Sequence, residues 1–138
     1  MKVYLAACFE QQEEIKAKAD ELAALGIHVT SRWRFEDSSL PETPERFDQC
    51  ARVDLEDIRD ADYLVVLTDQ TSQRGGKHVE TGYALGLGKP VMIVGRKENV
   101  FHYLTRGIVN VANWQEAVAK LISVVDAMSD KAAVDGAA

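Results

Sequence analysis

Two short apolar runs, Tyr63 to Leu67 and Pro90 to Val94, with a glycine-rich, helix-prone segment between them, constrain this chain more than any other feature. Runs of that length read as strands buried on both faces, and such strands lie parallel, which requires a crossover connection. The connection is built on Arg74-Gly75-Gly76-Lys77-His78-Val79-Glu80-Thr81-Gly82-Tyr83-Ala84, whose spacing predicts a helix entered through the two glycines. Glu80 is then expected in the first turn, where unpaired N–H groups and the helix dipole keep a carboxylate ionised at neutral pH. Gly82, Ala84 and Gly86 are small enough for a ligand or another backbone to approach the helix. A carboxylate at the strand-to-helix opening of an α/β sheet stands where such folds bind ligands. Glu80 is therefore a candidate nucleophile, with an ordinary dipole-supporting acid as the alternative.

The same alternation repeats along the chain. Val3 to Ala7 predicts a first strand, and Glu10 to Leu25 a helix with Ile15, Ala19, Leu22 and Ala23 on one side and Gly26 as its left-handed cap. Ile27 to Thr30, Asp62 to Thr68, Val91 to Val94 and Ile108 to Val111 predict the other four strands. Thr43-Pro44 supplies an N-cap and a first-position proline for a helix reaching about Arg59. Asn113-Trp114-Gln115-Glu116 resembles a capping box opening a last helix that reaches about Met128. The expected domain thus spans residues 1–128, followed by a small, polar, flexible tail over 129–138. Strands alternating with helices specify an α/β fold. It is a single-domain, doubly wound, five-stranded parallel sheet, flavodoxin- or Rossmann-like, with its ligand crevice beyond the carboxyl ends of the strands.

A chain of 138 residues holds one good core, and 46% hydrophobic with 28% charged residues is the balance of a soluble globular protein. Its net charge of −6 argues against a nucleic-acid polymer or an anionic membrane as partner and for a small molecule. Cys8 and Cys50 have neither metal-ligand spacing nor the density of a disulfide framework, which predicts a reducing, cytoplasmic setting. His28, His78 and His102 are not paired at a zinc-binding spacing, so no metal is expected, and no Gly-x-Ser-x-Gly elbow occurs. Gly75-Gly76-Lys77 is a fragment of a phosphate loop without its full spacing. Arg74, the two glycines and Lys77 could still hold one phosphate at the helix start, or form a plain basic turn.

Two further places stand out. Ser31-Arg32-Trp33-Arg34-Phe35 falls at a strand end, where Trp33 could stack on a planar ligand and Arg32 or Arg34 could meet an anion; a rim aromatic with solvated arginines is the alternative. On the helix after Pro44, Phe47, Ala51, Asp54 and Ile58 share one face, so an acid interrupts an apolar stripe. Burying a carboxylate without a partner is costly; Asp54 must meet donors, cap a loop or face a polar cavity. Glu56, Asp57 and Asp60 point elsewhere and read as solvated surface.

Tyr4 on the first strand, Asp54-Leu55 ahead of Asp62, and Glu80-x-Gly82-Tyr83-Ala84 followed by Gly88-Lys89-Pro90 together resemble the nucleoside 2-deoxyribosyltransferase superfamily, which includes nucleoside 5′-monophosphate N-glycosidases. The resemblance runs from Val3 to about Val111. It implies that Glu80 attacks C1′ of the sugar, that Asp54 positions substrate and handles the proton of the departing base, and that Tyr4 lines the pocket and holds Glu80. Ala7, Arg32, Trp33, Arg74, Gly76, Lys77 and His78 complete the expected substrate-binding set. Family members commonly share each site between subunits. The matching segment here is Asn99 to Leu104, with Asn99 in the substrate-binding set and His102 expected to cross over, which implies at least a homodimer.

No metal or organic cofactor is implied; the substrates are a nucleoside or nucleotide and a free base. Two departures pull in opposite directions. Nucleotide hydrolases of this kind commonly hold the phosphate with a small-residue loop containing serine and arginine after the first strand, where this chain has Ala6-Ala7-Cys8-Phe9. That favours a free nucleoside and deoxyribosyl transfer. Transferases usually carry an acid where this chain has Arg74, and His78-Val79-Glu80 looks like the nucleotide-hydrolase branch. From another class, a non-catalytic nucleotide-binding module on the same fold remains the competitor.

Overall fold

The computed structural model describes residues 1–71 and 74–137. Strands β1 (Lys2–Ala6), β2 (His28–Val29), β3 (Tyr63–Leu67), β4 (Val91–Val94) and β5 (Ile108–Val111) form one sheet in the order β2-β1-β3-β4-β5, with every neighbouring pair parallel. This is the flavodoxin-like order, whose switch point falls between β1 and β3. The connections carry α1 (Gln12–Ala24), α2 (Pro44–Asp60) and α3 (Gly76–Gly86), and α4 (Trp114–Ala137) follows β5. β3 and β4 are buried at every residue, as their uninterrupted apolar runs require. Leu5, Leu64, Val65, Met92 and Ile93 of the sheet form one core with Ile15 and Leu22 of α1, Ile58 of α2 and Leu121 of α4. No helix among the described residues is long and apolar enough to cross a membrane.

The local signals act where expected. Gly26 takes a φ of +79° after α1, and the Thr43 hydroxyl accepts Arg46 N–H at 3.2 Å ahead of Pro44. Asn113 Oδ1 accepts Glu116 N–H at 2.9 Å, but Glu116 reaches back to Ala112 N–H rather than to that of Asn113.

Four differences from the sequence expectation have physical reasons. β2 keeps two residues because side chains take over its ladder: the Ser31 hydroxyl accepts Leu5 N–H at 2.7 Å and Trp33 Nε1–H donates to Leu5 O at 2.9 Å. The chain then turns into a 3₁₀ helix, Arg32–Phe35. Gly75, at φ +75°, is the N-cap of α3, so Glu80 lies in the second turn and not the first. The apolar stripe of α2 is covered only toward its end; Ile58 is buried while Phe47 and Ala51 are exposed. Finally, α4 runs on to Ala137 instead of ending near Met128. Residues 126–136 are exposed there, and good helix formers such as Ala127, Lys131 and Ala132 sustain the helix without packing. Ala138 lies outside the described residues.

Candidate active site

Three side chains from three elements meet where α2 and α3 pack over β1. Tyr4, fully buried on β1, donates its hydroxyl to Glu80 Oε2 on α3. Asp54, from α2, is near enough that its charge acts on both. Asp54 Oδ1 is buried with no hydrogen-bond partner among the described residues. Among the described residues no cation offsets Glu80. Burial drives its carboxyl up to about 8, the Asp54 charge pushes the same way, and the Tyr4 hydrogen bond opposes them. Asp54 is raised to about 7 by burial and then by the carboxylates of Glu36 and Asp57, with Arg32 opposing. Burial and the two acids hold the Tyr4 phenol well above its ordinary value.

The expected dipole-ionised Glu80 is therefore corrected: one turn further into the helix, desolvation outweighs the dipole. Two interacting acids whose titrations are both raised toward neutrality can act as one anion and one acid.

Ala7, Trp33, Asp54, Arg74, Gly76 and Glu80 line a cavity of about 180 Å³. Its walls come from the carboxyl ends of β1, β2 and β3, the edge at which such folds bind ligands. Trp33 is buried and pairs with Phe9 at 6.2 Å between ring centres, which gives the cavity an aromatic side. Through Phe9, Glu10 and Arg74 the cavity continues into a second space of about 200 Å³ bordered by Glu36, Glu42 and Phe47. Phe9, Glu10 and Glu36 were not among the residues expected from sequence. The position of Phe9 just past the first strand was the available signal.

Other candidates lie elsewhere. The Lys77 side chain lines the cavity's base, but its ammonium is turned away and buried against Glu98 Oε1 at 2.8 Å and Gln70 O at 2.9 Å, so it does not present a phosphate site. Arg32 is held by Asp57, whose carboxylate accepts Arg32 Nε–H at 2.8 Å and Arg32 N–H at 2.9 Å. Asp57 is thus buried rather than solvated, a role hidden from the helix wheel because its partner comes from the segment after β2. Arg32 borders a separate open groove of about 870 Å³ along β2, where Asp57, Glu56 and Asp60 all have a cation within 4.0 Å. Arg34 donates to Ser31 O at 2.5 Å, with the charges of Asp20 and Asp57 acting on it.

His78, Asn99 and His102 gather on the opposite flank of α3, in an apolar cavity of about 650 Å³ that also borders Gly82 and Gly86. His102 does not project from the chain as expected. It is fully buried, its Nδ1 accepting Glu98 N–H at 3.0 Å, while Val100, Phe101 and Tyr103 of the same 3₁₀ turn stand out, at 77%, 61% and 64% exposed.

Residues 3–130 match the family model for nucleoside 2-deoxyribosyltransferase. Among solved structures, a 2-deoxyribosyltransferase from the psychrotolerant bacterium Bacillus psychrosaccharolyticus is similar at 26% identity and a TM-score of 0.69, over 85% of this chain and 90% of that one. A CMP N-glycosidase from Clostridium botulinum shares the fold at 21% identity and a TM-score of 0.54, over 91% and 98% of the two chains. A conserved protein from Enterococcus faecalis V583 does so at 18% identity and a TM-score of 0.59, over 89% and 97%. A search of curated proteins finds no match.

Proposed function

Since this chain belongs to the nucleoside 2-deoxyribosyltransferase family, we propose that it cleaves the N-glycosidic bond of a (2′-deoxy)nucleoside and transfers the deoxyribosyl group to another base through an ester on Glu80. The observation that carries this is a half-buried Glu80 with a phenol on one oxygen, no cation against it among the described residues, and a second acid of raised titration beside it in one cavity. As the bond from C1′ to the base nitrogen breaks, its electron pair leaves with the base and Asp54 supplies the proton. Glu80, as the anion of the pair, bonds to C1′. The incoming base then attacks C1′ from the face the first base left, opposite Glu80; Glu80 departs as carboxylate, and Asp54 takes up the proton the new base loses. The Tyr4 hydrogen bond favours the charge on Glu80 and so the productive arrangement of the shared proton. This chemistry calls on no metal or organic cofactor. Trp33 and Phe9 are placed to hold the base.

A free nucleoside fits the charges best. Lys77 and Arg32 are already paired, and Glu10, Glu36 and Glu42 surround the cavity mouth. The second reading, hydrolysis of a nucleoside 5′-monophosphate, is favoured by Arg74, which forms a loose ion pair with Glu42 at 3.6 Å on the exposed rim. Incubating the protein with deoxynucleosides and with their 5′-monophosphates, each with and without a free acceptor base, tests both. Base exchange on nucleosides supports transfer; water-dependent release from monophosphates alone supports the second reading. Neither product, with tight binding that survives Glu80→Ala, points to the non-catalytic module.

The active form is a homodimer or larger assembly of this chain in a reducing, cytoplasmic compartment where Cys8 and Cys50 stay free. Phe101 and Tyr103 project beside a cavity floored by Gly82 and Gly86, so one patch carries both knob and hole, as a two-fold contact requires. Phe101→Glu is expected to shift the protein to monomer in sedimentation velocity.

A further inference from the structure

We propose that Lys77 and Glu98 are a positioning pair that fixes the catalytic helix in place, holding the Glu80 carboxyl against Tyr4; this rests on the function proposed above. The Lys77 side chain is wholly buried; its ammonium donates to Gln70 O at 2.9 Å and Leu67 O at 3.4 Å and forms an ion pair with Glu98 Oε1 at 2.8 Å. These three groups come from the end of β3, the loop after it and the loop after β4. One side chain therefore ties the first turn of α3 to the carboxyl ends of two central strands.

The anchoring is continued on both sides. Glu98 is itself fixed by its N–H to His102 Nδ1 at 3.0 Å, and its carboxylate lies 3.9 Å from His78 Nε2, on the same turn of α3. Gln70 O also accepts the Cys8 thiol at 3.3 Å, and Asp69 accepts Gln11 Nε2–H at 3.0 Å, which joins this loop to the end of β1. The Thr81 hydroxyl donates to Lys77 O at 2.7 Å. Glu80 lies one turn beyond Lys77 on the same helix. The groups that face it are Tyr4 from β1 and Asp54 from α2, with Arg74 and Glu10 at the cavity rim. None of these closes the first turn of α3 onto the sheet, whereas Lys77 does.

A pair kept for stability alone and a pair that positions Glu80 behave differently when both charges are removed. Lys77→Met leaves Glu98 buried and unpaired and is expected to lower Tm; Lys77→Met/Glu98→Leu removes both charges and restores much of it. The bonds from Lys77 to Leu67 and Gln70 stay lost in both variants. With the nucleophile displaced, kcat for base exchange falls about tenfold or more in each while KM changes less than about threefold. Loss of the anchor admits water to Glu80, so its 13Cδ titration midpoint moves down from about 8 toward the ordinary carboxylate range.

A double variant with parental kcat and an unmoved Glu80 midpoint overturns the proposal, as does a single variant with both unchanged. Should Lys77→Met not fold, the double variant alone decides. If the parent protein exchanges no base, it is the proposed function that fails, and the Glu80 titration judges the anchoring by itself.

Discussion

Asp54 and Asp57 lie one turn apart on α2, Asp57 buried and Asp54 half-buried with one oxygen out of reach of solvent, and the fold treats them in opposite ways. Asp57 receives two hydrogen bonds from Arg32, one of them charge-assisted. Asp54 has a buried oxygen with no hydrogen-bond partner among the described residues and stands among other carboxyls. The same contrast recurs on the other side of the cavity, where Glu98 is ion-paired with the Lys77 ammonium and Glu80 meets the Tyr4 phenol. Burying a carboxylate without a cation costs stability, and two such groups in one cavity mark a place where the fold gives up stability for reactivity. The paired acids hold elements together; under the proposed function, Glu80 and Asp54 carry the chemistry.

Glu80→Gln breaks the comparison most directly. It keeps the shape and a hydrogen bond to Tyr4 but removes the nucleophile, so turnover is expected to fall by roughly 10³-fold or more while nucleoside still binds, measured by base exchange alongside calorimetry. A variant of near-normal turnover would return Glu80 to the rank of an ordinary helical acid.

Asp54→Asn comes next, with an expected fall in kcat of about 10²-fold and an intact fold by circular dichroism. It also removes a charge that pushes Glu80 up, so the ionisation of Glu80 in the pH–rate profile should move to lower pH than in the parent. The effect on stability has a definite sign. Both acids titrate higher when folded, about 7 and about 8, than when unfolded, at roughly 4, so the folded state binds more protons in between. Their contribution is complete below the unfolded values and is lost as pH rises through the folded ones. Tm should fall from about pH 5 to about pH 9 in the parent and fall less in either variant, as thermal melts across that range would show.

Asp57→Ala tests the other side of the contrast. It strands Arg32 N–H and the guanidinium, although Arg32 is half exposed and water compensates part of the loss. A destabilisation of about 2 kcal/mol by urea unfolding is expected, with kcat of the folded protein nearly unchanged. A large loss of activity at unchanged stability would mean that Asp57 belongs with Asp54.

How much of this was legible in the sequence follows the range of the interactions. The strands and the crossover could be read because apolar periodicity and turn residues act locally, and a parallel sheet then dictates which ends converge. Asp54 stood out as an acid in an apolar stripe, whereas Tyr4 was brought to Glu80 by the family resemblance. Whether an acid is paired could not be read. Asp57 meets Arg32 from the segment after β2, and Lys77 meets Glu98 from beyond β4, contacts that no helix wheel contains. Lys77 beside two glycines looked like a phosphate ligand for the same reason: the sequence shows the charge but not where its long side chain turns. The ionisation of Glu80 was misjudged because the dipole is a property of the helix alone, whereas desolvation depends on what covers it.

The smallest effect bears on Arg74, among the described residues the one cation that borders the cavity without a buried partner. Its pair with Glu42 is exposed on both sides, so Glu42→Ala should change stability by less than about 1 kcal/mol. The two readings of the substrate diverge at this residue. If the substrate is a free nucleoside, Arg74 touches no charge of it, and Arg74→Ala should leave kcat/KM for nucleosides within about threefold of the parent. If a 5′-monophosphate is the substrate, Arg74 must leave Glu42 for the phosphate. Losing that contact then costs about tenfold or more in kcat/KM for monophosphates, and Glu42→Ala, by freeing the guanidinium, raises it. Measuring both variants on both substrates decides whether this arginine belongs with the paired residues that hold the fold or with the unpaired groups that meet substrate.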